Sequence, residues 1–174
     1  EKKSISKSDI IVLGDSRYTK LKINSHKFLN LSIRGETSHT MLNRISNYVF
    51  KDSINIIFGA GLNDVLFSYK TQEILDNLNL LINLLSKKTN SSVIHLCKII
   101  PINSSGFFHQ KKIINQKIQY INNFFDTLDI STNKNKKKIV DFNVLVDKNN
   151  NLDMDYSDDG IHLNLKGLLI LKNH

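Results

Sequence analysis

The stretch DIIVLGDSRYTK, residues 9–20, joins a short apolar run to an abrupt polar ending. Residues 10–13 are isoleucine, valine and leucine, a composition that favours a strand buried on both faces of a sheet. Gly14, Asp15 and Ser16 follow directly, and a basic segment comes next. Such an ending is typical of an ordinary turn and also of a sheet edge that presents a nucleophilic serine. These three residues alone leave both interpretations open.

The rest of the chain alternates apolar runs with amphipathic segments. Apolar runs predict further strands at residues 27–33, 53–58, 92–100 and 138–142. Helical spacing of apolar residues predicts helices at residues 37–48, 73–87, 107–125 and 163–171. This alternation predicts an α/β fold with a parallel sheet, in which ligands bind beyond the carboxyl ends of the strands. Without an internal repeat or linker, we expect residues 1–174 to form one domain.

The composition and the N-terminal residues bear on whether the chain crosses a membrane or is secreted. Hydrophobic residues make up 40% of the 174, and no apolar run approaches the roughly 20 residues of a membrane helix. The chain starts with EKKSISKSD, without Met or the apolar core of a signal peptide. We therefore expect a trimmed N-terminus and no membrane span in this chain. The sequence predicts neither compartment nor oligomeric state.

The net charge is +8, with a dense lysine run at residues 134–138. A nucleic-acid partner is one interpretation of this charge, but no zinc-finger spacing, aromatic RNA-binding pattern or long basic helix accompanies it. We interpret the run as a solvated loop and expect no nucleic-acid partner. The positive field still favours anionic substrates or surfaces.

Metal and cysteine chemistry have little support in the sequence. Cys97 is the single cysteine and lies in an apolar run, which predicts a buried core thiol rather than a reactive one. The acidic residues at positions 153–159 lack the spacing of a calcium loop. We expect neither a metal nor a cofactor.

Near the C-terminus, SDDGIHLNLKG at residues 157–167 contains Asp159 and His162, three positions apart. A nucleophilic serine needs a base for its proton, and histidine suits this task because its unperturbed pKa is about 6.5. The imidazole in turn needs a carboxylate that fixes its tautomer. The spacing predicts that one loop supplies both groups.

Four short blocks now stand in order: GDS at residues 14–16, RGETS at 34–38, GLND at 61–64 and DGIH at 159–162. This set resembles the SGNH hydrolases, or GDSL esterase/lipase family, named for Ser, Gly, Asn and His in four separated blocks. The resemblance implies a flavodoxin-like three-layer α/β/α sandwich with, here, a five-stranded parallel sheet. The chain looks most like the small branch with platelet-activating-factor acetylhydrolase catalytic subunits and carbohydrate O-acetylesterases.

Carried over residue by residue, the resemblance implies that Ser16 is the nucleophile, His162 the base and Asp159 its partner. It implies an oxyanion hole made by the backbone N–H groups of Ser16 and Gly35 and the side-chain amide of Asn63. The family needs no cofactor for this chemistry.

Arg17 departs from the family pattern, in which an apolar or small residue more often follows the serine. The favoured interpretation is that it faces solvent or forms a structural ion pair. The alternative is contact with an anionic group of the substrate.

Short loops after the predicted strands favour an open site and a small acyl group. We therefore expect a serine esterase that deacetylates O-acetylated carbohydrate. One alternative is an O-acetyltransferase, because the same triad can pass the acyl group to an alcohol. Another is a catalytically silent binding module, although the complete set of site residues argues against it.

Overall fold

The computed structural model describes residues 9–25, 27–107, 109–130 and 134–173, and the backbone alone of residues 3–5. The strands are Lys3–Ile5 (β1), Ile10–Gly14 (β2), Phe28–Asn30 (β3), Tyr48–Phe50 (β4), Asn55–Gly59 (β5), Val93–Cys97 (β6) and Lys136–Val140 (β7). The α-helices are Ser38–Ser46 (α1), Leu62–Leu66 (α2), Thr71–Lys88 (α3), Lys111–Thr127 (α4) and Leu165–Asn173 (α5). None of the described helices is both long and apolar enough to cross a bilayer.

Five of the strands form one parallel sheet in the order β3-β2-β5-β6-β7, which confirms the predicted α/β fold. β1 pairs with β4 in a separate two-stranded parallel sheet that the sequence analysis did not predict. In the main sheet β2 lies between β3 and β5, and Gly14 is in register with Gly59. This order brings the segments that follow β2, β3 and β5 to one edge of the sheet.

The two faces of the sheet are covered differently. One, the helical face, packs against α1, α3 and α4 and carries alternate strand residues, namely Ile11, Leu13, Ile56, Phe58, Ile94 and Leu96. The other, the loop face, packs Val12 and Cys97 against α5 and against residues of the connecting segments, including Tyr18, Leu145 and Leu163. In the connection from β2 to β3, residues 15–25, as far as the structure describes them, contain no helix.

Tyr18 packs on the loop face directly over the backbone of two neighbouring strands. A Cβ atom added to Gly59 would lie 2.2 Å from the Tyr18 ring, and one added to Gly14 would lie 2.7 Å from it. Glycine at Gly59 therefore allows the ring to approach the sheet closely. The packed ring fixes the start of the segment that carries Ser16.

Several predicted elements differ from the structure. The helix predicted at 37–48 ends at Ser46, and residue 48 begins the strand β4. Residues 136–138 of the lysine run belong to the edge strand β7, so the interpretation of the whole run as a loop was wrong. Lysines on an edge strand oppose pairing with another chain, and Lys137 Nζ also donates to backbone carbonyls of Phe125, Asp126 and Leu128 at the end of α4. The helix predicted at 107–125 begins at Lys111, after a 3₁₀ turn at Ser105–Phe107, and residue 108 lies outside the described residues.

Candidate active site

Hydrogen bonds join the first three sequence blocks at the carboxyl edge of the sheet. Ile33 N–H donates to Gly14 O at 3.0 Å, which carries the RGETS block alongside the GDS block. Asp15 N–H donates to Gly59 O at 3.1 Å and so ties the GDS block to the end of β5. The Asn63 amide donates to Glu36 O at 2.9 Å. The segments that contain Ser16, Gly35 and Asn63 are therefore neighbours in space.

Asp159 and His162 form a short, well-oriented pair within the fourth block. Asp159 Oδ2 lies 2.6 Å from His162 Nδ1, and Asp159 Oδ1 accepts the N–H groups of Ile161 at 2.8 Å and His162 at 2.7 Å. Partial burial opposes ionisation of Asp159, but the hydrogen bonds from His162 and the two backbone N–H groups prevail and lower its pKa to about 2. A carboxylate bonded to Nδ1 leaves Nε2 as the ring atom available to accept a proton.

Ser157 stabilises the loop that carries Asp159 and His162, a role that the sequence did not predict. Its hydroxyl donates to His162 O at 2.6 Å and accepts Gly160 N–H at 2.8 Å. The side chain is buried, so these bonds are shielded from water. A serine or aspartate a few residues before a glycine is typical of a hydrogen-bonded turn. The spacing of Ser157 and Gly160 could therefore have predicted this role from the sequence.

Gly160 anchors the loop to the segment after β6. Its φ of +71° lies in the left-handed region, and an added Cβ would lie 2.4 Å from the carbonyl carbon of Asn103. Asn103 N–H donates to Gly160 O at 2.7 Å. Glycine is required here both by the backbone conformation and by the close approach of a second chain segment.

Arg17 joins the GDS block to the histidine loop. Its side chain is buried, with 3% of the residue exposed, and its guanidinium donates to Ile161 O at 2.7 Å, to Ile100 O and to Pro101 O at 3.2 Å. Of the two favoured interpretations, exposure to solvent was therefore wrong, whereas Arg17 does have a structural role. The guanidinium bonds three backbone carbonyls, and Asp15 beside it is also buried.

Ser16 lies two residues beyond the end of β2 and is half-buried. Its carbonyl accepts a hydrogen bond from Thr19 Oγ1 at 2.9 Å. No hydrogen bond links the Ser16 hydroxyl to His162 in the described part of the chain. Contacts of this kind are often long before substrate binds.

Asn63 and Asp64 have different surroundings within the GLND block. The Asn63 amide uses one of its two N–H groups on Glu36 O, and the other has the chemistry of an oxyanion donor. Asp64 is buried and accepts both the N–H and the hydroxyl of Ser38 at the start of α1. Asp64 thus supports the loop structurally, while Asn63 retains a donor.

A cleft of about 440 Å³ opens beside the Asp159–His162 pair. Its lining combines two cations, two carboxylates and apolar side chains, namely Lys20, Arg34, Asp158, Asp159, His162, Leu163, Asn164, Leu165 and Leu168. Among the residues that the structure describes, no group of three or more histidine, cysteine, aspartate or glutamate side chains is arranged to hold a metal ion.

Cys97 lies beneath this edge of the sheet, on the loop face. It is buried, and burial raises the pKa of its thiol to about 12 although a hydrogen bond with Tyr18 opposes the shift. A protonated, enclosed thiol is a poor nucleophile, in line with the core role predicted from the sequence.

Comparison with known proteins gives distant relatives and closely similar folds. No protein-family model matches the chain. N-acylneuraminate cytidylyltransferases from three strains of Streptococcus agalactiae are 26% identical over 152 residues, which cover 87% of this chain. The matched region makes up 34% of those relatives, so the chain spans about a third of their length.

Solved structures match nearly the whole chain. A Streptococcus pneumonia protein described as a platelet activating factor has a TM-score of 0.76 and 22% identity, covering 96% of this chain and 81% of its own. A GDSL-like lipase from Bacteroides thetaiotaomicron has a TM-score of 0.72 and 20% identity, covering 94% and 83%. The acetyl xylan esterase AlAXEase has a TM-score of 0.65 and 14% identity, covering 94% and 96%. The chain has the fold of the SGNH hydrolases.

Proposed function

We propose that this chain is a serine esterase that hydrolyses short-chain acyl esters, with acetyl as the acyl group and carbohydrate as the alcohol. The observation that carries the proposal is the hydrogen-bonded convergence of all four blocks, together with the 2.6 Å Asp159–His162 pair. These groups supply what acyl transfer needs, namely a nucleophile, a base, an orienting carboxylate and an oxyanion donor.

In the first half of the proposed reaction, Ser16 Oγ attacks the acyl carbon and its proton passes to His162 Nε2. The oxyanion accepts hydrogen bonds from the N–H groups of Ser16 and Gly35 and from the Asn63 amide. The carbon–oxygen bond to the sugar then breaks, and the leaving oxygen takes the proton from His162. Asp159 stabilises the imidazolium throughout and stays ionised.

In the second half, water attacks the acyl-enzyme. His162 Nε2 takes one proton from this water, and the new bond forms a second tetrahedral intermediate. The bond between Ser16 Oγ and the acyl carbon breaks as His162 returns the proton to the serine. Acetate leaves and the free enzyme is regenerated.

The names of the neighbours support carbohydrate as the alcohol. One similar structure is an acetyl xylan esterase, and the distant relatives are named for a sugar acid, N-acylneuraminate. The cleft beside His162 is about 440 Å³, a volume that accommodates a monosaccharide.

The direct test is p-nitrophenyl acetate hydrolysis by the wild type and Ser16→Ala between pH 5 and 9. We expect Ser16→Ala to lose at least about a thousandfold in kcat, because the nucleophile is removed. Ser25→Ala is a matched control, since Ser25 is an exposed hydroxyl residue on the same β2–β3 connection. Equal rates for the wild type and Ser16→Ala would disprove the proposal.

A further inference from the structure

Two cations line the cleft beside His162, and the proposed mechanism uses neither. Lys20 comes from the connection after β2, and Arg34 from the segment after β3. Both side chains are exposed. Within the described ranges of the chain, neither forms an ion pair or a side-chain hydrogen bond. Their charges are therefore available to a ligand in the cleft.

The segments that carry these cations are fixed relative to each other. Asn30, the last residue of β3, donates through its side-chain amide to Tyr18 O at 2.8 Å and to Leu21 O at 3.0 Å. These bonds fix the backbone on either side of Lys20. The hydrogen bond from Ile33 N–H to Gly14 O fixes the residue before Arg34. The two long side chains therefore project from a rigid base into one cleft.

The carboxylates of the cleft belong to a different segment, the histidine loop. Asp159 is committed to His162 and to two backbone N–H groups. Asp158 is exposed and lies 3.5 Å from the Asn164 amide. A bound anion would therefore be attracted toward Lys20 and Arg34 and repelled from Asp158, so this charge arrangement also sets its orientation.

We propose that Lys20 and Arg34 determine specificity for an ester whose alcohol carries a carboxylate, so that the substrate is an O-acetylated sugar acid rather than a neutral sugar. This inference rests on the proposed esterase function and adds its substrate class. Arg34 presents a planar fork that matches a carboxylate, and Lys20 adds a point charge. The apolar side chains of Leu165 and Leu168 line the same cleft and can pack against the uncharged parts of the substrate.

The test compares two substrates that differ in one charge, namely O-acetylated N-acylneuraminate and the same compound with its carboxylate converted to the carboxamide. Acetate release gives kcat/KM for each. Exposed charge pairs are weak, so we expect the wild type to prefer the acid about tenfold at low ionic strength. Lys20→Gln or Arg34→Gln should each reduce this preference about two- to fivefold, and the double variant should abolish it.

Lys22→Gln is the matched control, because Lys22 is exposed on the same connection but does not line the cleft. It should keep the wild-type preference. Added salt should weaken the preference of the wild type and leave the carboxamide rate unchanged, because salt screens exposed charges.

The inference and the proposed function fail in different ways. Hydrolysis of p-nitrophenyl acetate that does not depend on Ser16 would overturn the proposed function. A Ser16-dependent enzyme that hydrolyses the acid and the carboxamide equally, or that hydrolyses neither, would overturn the sugar-acid specificity alone.

Discussion

The helical face and the loop face of the sheet differ in what their packing accomplishes. On the helical face, three helices bury regular apolar stripes, and contacts run along the whole length of α1, α3 and α4. On the loop face, α5 has nine residues, and connecting segments supply much of the packing. The Arg17 guanidinium, bonded to three backbone carbonyls, and the internal bonds of the histidine loop hold the candidate site at the edge of the sheet.

We infer from this difference that stability and site geometry have separate sources in the molecule. Burial of large apolar side chains on the helical face contributes most to the free energy of unfolding. Directional hydrogen bonds around the histidine loop contribute less stability but determine where Asp159 and His162 lie. Three substitutions test whether the separation holds.

The largest expected effect is on catalysis, through Asp159→Asn. The amide keeps the shape of the side chain but favours the wrong tautomer of His162, so we expect kcat to fall about 10³- to 10⁴-fold. The Asp159 side chain is half exposed, so its loss should lower the unfolding midpoint at neutral pH by only a small amount. Steady-state kinetics and thermal unfolding of the purified variant measure both. Near-wild-type kcat would show that Asp159 is not the partner of the base.

The effect of Asp159→Asn on stability should depend on pH. The folded-state pKa of Asp159 is about 2, below the ordinary value of 3.8, so its interactions stabilise the fold above pH 4 and are lost as pH falls toward 2. The stability difference between the wild type and Asp159→Asn should therefore shrink over this range. Above pH 4 the carboxylate stays ionised, and the acid limb of kcat/KM should not report its titration.

The next effect is on stability, through Phe125→Ala on the helical face. Phe125 is fully buried in α4, and its removal leaves a cavity, so we expect a loss of about 3–5 kcal/mol in the free energy of unfolding. Tyr120→Ala on the same helix is the control, since Tyr120 is 59% exposed and should cost less than about 1 kcal/mol. Well below its melting temperature, Phe125→Ala should keep wild-type kcat. A large fall in kcat would break the proposed separation.

The smallest expected effect is that of Arg17→Met, which should lower both the stability and kcat. The variant leaves one buried and two partly buried carbonyls and the buried Asp15 without the guanidinium, so we expect a loss of about 2–3 kcal/mol in stability. Release of the histidine loop should lower kcat about tenfold while KM changes little, because the reacting groups are misplaced.

Two further variants sharpen the Arg17 prediction. Arg17→Lys should recover only part of kcat, because an ammonium cannot bond three separated carbonyls in the plane of a guanidinium. Asp15→Asn combined with Arg17→Met should recover stability but not kcat, because it removes the unpaired carboxylate and leaves the loop free. Full recovery of kcat in that double variant would contradict the positioning role.

Much of the fold could be predicted because its strands are continuous apolar runs. β2, β5 and β6 are buried on the helical face at every second residue, and such runs are distinctive in a sequence. β7 was harder to predict, because its lysines lie on an edge strand where charge is tolerated. β1, β4 and α2 are three to five residues long and form through tertiary contacts that leave no periodic pattern.

The site could be predicted only where its interactions are local. The spacing of Asp159 and His162 brings them together within one loop, and the structure shows that contact. The burial of Arg17 could not be predicted, because its carbonyl partners lie 83, 84 and 144 residues away. The catalytic roles of Ser16, Gly35, Asn63, Asp159 and His162 stay predictions.

The hydrogen bonds of the Asp159 carboxylate have a consequence for enzyme redesign. All of its donors come from its own loop, namely two backbone N–H groups, the imidazole and, at 3.4 Å, the Ser157 hydroxyl. We therefore expect the internal alignment of Asp159 and His162 to survive changes elsewhere in the protein, whereas the distance of the pair from Ser16 should depend on Arg17 and on the Gly160–Asn103 contact. To accept a new acyl group, substitutions around Arg17 and around the Gly160–Asn103 contact should move Asp159 and His162 together. Their mutual hydrogen bond should then stay the same.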